Sequence, residues 1–140
     1  MKKLILLLSC IATSAFAQTN FWEQTNGPFG GTIGSLAINA NGDAFAGAFG
    51  GVFRSTDNGD SWQQINNGLT NTLVRTLAIN DNSDIFAGTS DGLFRSNDNG
   101  DNWVPINTGL TNTRVEAIVS KSSSDIFVGT DGCGREEKRC

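Results

Sequence analysis

Residues 55–62, STDNGDSW, and residues 96–103, SNDNGDNW, are two copies of one short motif. Extending the comparison outward gives two units, 35–75 and 76–116, which align without a gap and are identical at 26 of the 41 positions. Self-similarity at a fixed period indicates that one supersecondary unit has been duplicated within the chain. The two units are therefore expected to share one fold.

Within each unit, apolar residues alternate or cluster in short runs between Asn, Asp, Gly and Ser, and no stretch keeps a helical period. The predicted strands are 35–39, 43–48, 51–55 and 61–66 in the first unit and 76–80, 84–89, 92–96 and 102–107 in the second. Asn-Gly pairs begin at Asn26, Asn41, Asn58, Asn67 and Asn99, and both residue types accept a positive φ at low cost. Each unit is thus expected to be four short antiparallel strands joined by tight turns.

The repeat continues on both sides of the two full units. Downstream, the half unit 117–132 repeats the first two strands, since Asp43, Asp84 and Asp125 fall at intervals of 41. Upstream, residues 20–25 match the fourth strand of a preceding unit, with Trp22 in the place that Trp62 takes in the first full unit. The span 18–134 is therefore predicted to hold an orphan strand, two full units and half of a third.

A four-stranded antiparallel unit of about 40 residues, repeated head to tail, predicts an all-β protein built of β-propeller blades. Closed propellers need roughly four to eight blades, so about three blades imply an incomplete ring. Three explanations are open: truncation or a frame change near Cys133, assembly of several chains into one ring, or an open arc. We expect truncation, because the charged tail 135–140 stands where a third strand is due. Exposed strand edges make the open arc the least expected.

The duplicated motif has a direct physical interpretation as the hairpin between the third and fourth strands. The carboxylate of Asp57 is expected to accept hydrogen bonds across the turn that Ser55 opens, and Gly59 to adopt a left-handed conformation. Trp62 is expected to bury its ring and anchor the turn. The second copy supplies the same four structural residues, which are Ser96, Asp98, Gly100 and Trp103.

This Ser-x-Asp-x-Gly-x-x-Trp pattern resembles the Asp-box, or BNR, repeats of sialidase-like propellers, and the resemblance covers residues 21–132. The family usually places Thr or Ser before the tryptophan, which Ser61 matches and Asn102 does not. The resemblance implies a blade type whose boxes are structural and lie opposite the ligand face. Such blades occur in sialidases, xyloglucan-cleaving hydrolases, sortilin-type receptors, photosystem assembly factors and many secreted bacterial proteins, so fold alone does not give the function.

The composition argues against catalysis. Sialidases resemble one another in using a Tyr nucleophile, and this chain has no Tyr. It also has no His, which excludes Ser-His-Asp and Cys-His nucleophile systems. Neither box has the ligand spacing of an EF-hand loop, so no metal or other cofactor is expected. The sequence therefore predicts a protein that is not an enzyme.

Charged residues that break the repeat are the candidates for ligand binding, because a residue present in every unit is more simply explained as part of the architecture. Arg75, Arg114 and Glu116 flank the joints between units, which read GLTNT at both 68–72 and 109–113. In the propellers that the chain resembles, this joint lies on the ligand-binding face. The alternative is that these residues form only a solvated rim or an ion pair between blades.

The N-terminus predicts export. Residues 1–17 carry Lys2 and Lys3, an apolar run and a final Ala-Phe-Ala, the layout of a secretory signal peptide. Cys10 offers a less favoured alternative, a lipoprotein cleavage site. Because the chain is exported in either case, the expected location is periplasmic or extracellular. No later segment reaches the roughly 18 apolar residues of a membrane span. Cys133 and Cys140 are left either to pair with each other or to have no role.

The charge limits the possible partners. Removal of the signal peptide takes the basic count from 10 to 8 against 14 acids, giving a net charge of −6, which disfavours nucleic acid and anionic lipid. The sequence thus predicts an exported, non-catalytic propeller segment that acts as a structural scaffold or binds a protein or glycan. The alternative is the N-terminal piece of a xyloglucanase-like glycoside hydrolase whose catalytic acids lie in further blades.

Overall fold

The computed structural model describes residues 24–29 and 31–132, and all secondary structure within them is β. The predicted signal peptide, Trp22, both C-terminal cysteines and the charged tail lie outside the described residues. Of the predicted orphan strand 20–25, only Gln24 and Thr25 are described, and neither is assigned to a strand.

In the part of the chain that the structure describes, ten strands form three separate antiparallel sheets. The first sheet has the order β1-β2-β3-β4 and contains β1 (Ile33–Ile38), β2 (Ala44–Ala48), β3 (Gly51–Ser55) and β4 (Gln63–Gln64). The second sheet repeats that order with β5 (Val74–Ile79), β6 (Ile85–Thr89), β7 (Gly92–Ser96) and β8 (Val104–Pro105). The third contains β9 (Val115–Ser120) and β10 (Ile126–Thr130). The prediction of four-stranded antiparallel units is confirmed, and the described residues form an open stack of sheets without closing a ring.

Side-chain amides set the strand boundaries that the sequence pattern misplaced. In the β1–β2 turn, Asn39 Oδ1 accepts hydrogen bonds from the backbone N–H groups of Asn41 and Asp43, at 3.0 and 2.9 Å. Asn80 makes the same pair of bonds in the β5–β6 turn. The second strand of each full unit therefore begins one residue later than predicted, after Asp43 or Asp84, because the aspartate belongs to the turn.

The fourth strands, predicted at 61–66 and 102–107, are only two residues long. The Asn66 side chain explains the early end of β4, since its Oδ1 accepts from the Val52 N–H at 2.8 Å and its Nδ2 donates to the Gly50 carbonyl at 2.8 Å. Asn107 accepts the Leu93 N–H in the same way at 2.8 Å. A side-chain amide thus replaces the backbone ladder that a longer strand would supply.

The sheets pack face to face, with the first strands β1, β5 and β9 side by side. Phe45, Leu77 and Phe94 are buried between the first and second sheets. Phe86 and Val115 are buried between the second and third. Most of the core therefore lies in two layers between sheets, and a smaller cluster of Ala46, Ala48 and Phe53 is buried on the outer face of the first sheet.

Burial follows the position of a sheet in the stack more than the identity of the residue. Leu36 on β1 is 68% exposed, whereas Leu77, its counterpart on β5, is 7% exposed. At the other end of the stack, Phe127 on β10 is 59% exposed while Phe86, its counterpart on β6, is 5% exposed. The first and third sheets each present an outer apolar face of the same kind that is buried inside the stack.

Candidate functional site

The first copy of the repeated turn, residues 55–62, is called the first Asp box here for the motif that it resembles, and its aspartate carboxylate accepts three hydrogen bonds from the turn around it. Asp57 Oδ1 accepts from the Ser55 hydroxyl at 2.8 Å and from the Ser61 N–H at 2.9 Å, while Oδ2 accepts from the Ser61 hydroxyl at 2.5 Å. Ser55 Oγ in turn accepts from the Gly59 N–H at 2.8 Å. Asn58 and Gly59 carry positive φ angles of 60° and 91°. The box is a closed hydrogen-bond unit.

The second copy of the turn, residues 96–103 and called the second Asp box, keeps this geometry although Asn102 stands where the first copy has Ser61. Asp98 Oδ1 accepts from the Ser96 hydroxyl at 2.7 Å and from the Asn102 N–H at 2.9 Å. Asp98 Oδ2 accepts from the Asn102 side-chain amide at 2.7 Å, so this amide replaces the hydroxyl of Ser61. The substitution of Asn for Ser therefore preserves the hydrogen-bond count at the carboxylate.

These bonds stabilise the ionised form of both aspartates. The side chain of Ser61, its backbone N–H and the Ser55 hydroxyl lower the pKa of Asp57 from 3.8 to about 2. The side chain of Asn102, its backbone N–H and the Ser96 hydroxyl lower the pKa of Asp98 to about 2 in the same way. A carboxylate with a pKa of about 2 that already accepts three hydrogen bonds from its own turn is suited to structure and not to acid–base chemistry.

The depressed pKa values predict an acid-sensitive contribution to stability. Because the folded value lies below the unfolded value, each box stabilises the fold fully above roughly pH 5 and loses that contribution between about pH 4 and pH 2. Replacing both aspartates by asparagine should make the denaturant midpoint less dependent on pH across this window. Denaturant titrations at several pH values check this, with Asp81→Asn in the β5–β6 turn as the control. Equal pH dependence in wild type and double variant would contradict the assignment.

The two box tryptophans differ in how they are used. Trp103 is 3% exposed, and its Nε1 donates to the Ile65 carbonyl of the first unit at 2.7 Å. Its backbone N–H also donates to the Asn67 carbonyl at 2.9 Å. Trp62 packs on the outer face of the first sheet against Ala46, Ala48 and Phe53, and its Nε1 has no partner among the described residues. The second box therefore connects two sheets.

Three side chains of the first sheet, Asn39, Asp43 and Arg54, hold the second Asp box, and we name them the first cradle. Arg54 Nη1 donates to the Asn99 carbonyl at 2.6 Å and pairs with the Asp101 carboxylate at 3.0 Å. Asn99 Nδ2 donates to Asp43 Oδ2 at 2.9 Å, and Asn39 Nδ2 donates to Asn99 Oδ1 at 3.0 Å. The cradle is an inter-sheet clamp made wholly of polar groups.

The recurrence of Arg54 as Arg95 in the second unit predicts a structural role for this arginine, whereas Asn39 and Asp43 were not identified as candidates from the sequence. The available signal was their recurrence, since Asn80, Asp84 and Arg95 occupy the same three positions of the second unit. Recurrence alone does not reveal that the clamp acts on the next sheet. That follows only from the face-to-face order of the stack.

The three predicted binding residues lie together at the N-terminal ends of β5 and β9. Arg75 Nη1 pairs with Glu116 Oε2 at 3.2 Å, and Arg114 Nε pairs with Glu116 Oε1 at 2.7 Å. Arg114 Nη1 also reaches Asp131 Oδ2 at 3.3 Å, and Arg75 Nε donates to the Ser90 hydroxyl at 3.1 Å. We name Arg75, Arg114, Glu116 and Asp131 the joint cluster.

The joint cluster is a balanced ionic surface of two cations and two anions. The exposed fractions of its side chains run from 28% for Arg75 to 52% for Asp131. Ion pairs this exposed contribute up to about 1 kcal/mol to stability. Asp131, which the sequence analysis did not single out, reaches Arg114 because it directly follows β10. These groups are accessible, and the fold does not depend strongly on them.

Within residues 24–29 and 31–132, no three Asp, Glu, Cys or His side chains gather closely enough to hold a metal ion. The same part of the chain contains no helix long and apolar enough to cross a membrane. No protein-family model matches the sequence, and no curated protein matches it. The geometry of the repeat and of the joint cluster is therefore what points to a function.

Proposed function

We propose that this chain is a segment of an Asp-box β-propeller and serves as an exported, non-catalytic scaffold that binds a protein or glycan. The constant repeat interval supports the propeller architecture, together with four antiparallel strands per full unit. The side-by-side arrangement of the first strands supports it as well, since propeller blades pack radially around a central channel. The signal-like residues 1–17 support export.

The functional proposal depends on a difference between the polar residues that repeat in each unit and those that do not. The repeated aspartates Asp57 and Asp98 each accept three hydrogen bonds from their own turn. The non-repeating Arg75, Arg114 and Glu116 instead meet on one exposed surface at the joints. A surface with fixed, partly exposed guanidinium and carboxylate groups can recognise hydroxyl-rich or charged ligands by charge-assisted hydrogen bonds. The joint cluster is thus the proposed binding face.

The proposal is tested by incubating the purified chain with a panel of neutral and acidic oligosaccharides, xyloglucan oligosaccharides included. We expect binding without turnover, weakened about tenfold or more by Arg75→Ala, because a hydrogen bond to a charged group contributes roughly 1.5–3 kcal/mol. Lys121→Ala, an exposed cation beyond the end of β9, is the control and should bind as wild type does.

Two results would count against the proposal. Shortened oligosaccharides in the mass spectrum would show catalysis and favour the glycoside hydrolase alternative. Glycan binding that Arg75→Ala leaves unchanged would place the binding face elsewhere, and an entirely silent panel would remove glycans as the ligand class.

A further inference from the structure

The first cradle shows what its three residues do when an Asp-box turn is seated on them. Arg54 donates to the Asn99 carbonyl and pairs with Asp101, while Asn39 and Asp43 hold the Asn99 amide from both sides. With the turn in place, the side chain of Arg54 is only 15% exposed. The seated turn belongs to the β7–β8 hairpin, whose strand β7 pairs with β6 of the second sheet.

The second cradle, Asn80, Asp84 and Arg95, has the same residues in a different state. Arg95 Nη2 turns back to Asp84 of its own sheet at 2.9 Å, and its side chain is 43% exposed. Its Nε is buried and has no hydrogen-bond partner among the described residues. Asn80 Nδ2 donates to Asp84 Oδ2 at 3.0 Å and to the Ser123 carbonyl at 2.9 Å. Arg95 is thus engaged within its own sheet or unpaired, and the Asn80 amide is shared between its own sheet and the β9–β10 turn.

A cavity of about 260 Å³ opens directly over this second cradle. Asp84 and Arg95 line its polar side, and its apolar side is formed by Phe86, Ile106 and Ile126. In the first cradle, the equivalent region is covered by the second Asp box. The cavity therefore combines polar groups for a turn with apolar surface for the adjoining strands.

An open strand edge lies beside the cavity. Within the described residues β10 pairs only with β9, so its other edge presents unpaired backbone N–H and C=O groups. In the first two sheets, the equivalent edges of β2 and β6 are taken by β3 and β7, the strands that lead into the Asp boxes. A hairpin that added to β10 would place its turn over the second cradle, as β7 on β6 places its turn over the first.

We propose that the second cradle and the β10 edge together form a docking site for an Asp-box hairpin of another polypeptide. The hairpin pairs with β10 by strand addition, its asparagine seats between Asn80 and Asp84, and its acidic residue pairs with Arg95. The inference rests on the repeat architecture of the proposed function and goes beyond it by naming the partner chemistry.

The test uses the full chain and a fluorescent synthetic peptide of residues 92–107, its own second Asp-box hairpin. Fluorescence anisotropy should show saturable binding that weakens about tenfold or more when the chain carries Arg95→Ala, or when the peptide carries Asn99→Ala and Asp101→Ala. A scrambled peptide of the same composition controls for charge and should not bind. Gln63→Ala, an exposed change on β4 of the first sheet, should leave the affinity unchanged.

Hydrogen exchange supplies a readout that depends on the strand edge. Peptide binding should slow exchange at the amides of β10 and leave those of β1 unaffected. The proposal is overturned if the peptide does not bind, if Arg95→Ala leaves the affinity unchanged, or if β10 gains no protection. Binding that appears only after removal of residues 133–140 would also overturn it, since the chain itself would then be the occupant. Glycan binding depends on the joint cluster, so each experiment can fail without the other.

Discussion

Replacing Trp103 with alanine is expected to lower the free energy of unfolding by about 3–5 kcal/mol, the range for removing a large buried aromatic side chain. The ring is 3% exposed within the layer between the first and second sheets. Its Nε1 also satisfies the buried Ile65 carbonyl of the neighbouring sheet at 2.7 Å. The substitution removes both the apolar contact and the inter-sheet hydrogen bond. Denaturant unfolding followed by circular dichroism measures the loss.

The chain contains its own control for this experiment. Trp62 holds the same motif position, but it is only partly buried, and its Nε1 has no partner among the described residues. Trp62→Ala should therefore cost less than half as much as Trp103→Ala. If Trp103→Ala does not fold, Trp103→Phe keeps most of the ring and should lose roughly 1–2 kcal/mol with the hydrogen bond. Equal losses at the two tryptophans would show that the second box does not hold the sheets together.

Gly88→Ala is expected to destabilise the interface between the second and third sheets by about 1–3 kcal/mol, as overpacking of a filled core does. A Cβ at this position would lie 2.5 Å from Val115 Cγ1 and 2.6 Å from Thr76 Cγ2. Val115 is fully buried and β-branched, so it has little freedom to move away. Position 88 thus requires glycine, because the neighbouring side chains leave no room for a Cβ. The loss is measured by denaturant unfolding.

Gly129 is the counterpart of Gly88 on β10 and provides the matched control. Among the described residues, a Cβ there would meet only Ala117, at the ordinary contact distance of 3.6 Å. Gly129→Ala should therefore change the free energy of unfolding by less than about 0.5 kcal/mol. A large loss at Gly129, or none at Gly88, would contradict the face-to-face packing of the second and third sheets.

The repeat made most of the secondary structure predictable, because the same pattern of apolar and turn residues occurs in both units and predicts the same strands in each. The third strands were predicted at 51–55 and 92–96, and β3 and β7 have those bounds. The fourth strands were predicted too long, because periodicity does not reveal that the Asn66 and Asn107 side chains replace backbone hydrogen bonds there. The alternation of apolar residues predicted that each strand exists, whereas hydrogen bonds of individual side chains determine where the strand ends.

The candidate site was predictable only in part. Arg75 and Glu116 are one repeat apart, so their sequence spacing alone places them at the same position of adjacent units. Their ion pair then requires only that the sheets stack in order. The cradle required more, since its partners lie on the second Asp box, far along the chain, and belong to the next sheet. Contacts between units depend on stacking geometry, which a repeat period does not specify.

The first cradle holds a turn of the unit that follows it, and the same three residues recur in the next unit. Such an interface has an evolutionary consequence, because an in-frame duplication at a joint adds a unit that already matches both of its neighbours. The GLTNT joints at 68–72 and 109–113 are identical, so recombination between them would leave the order of strands within each unit unchanged. Gain or loss of a whole unit would therefore keep the same kind of contact between the units that become neighbours.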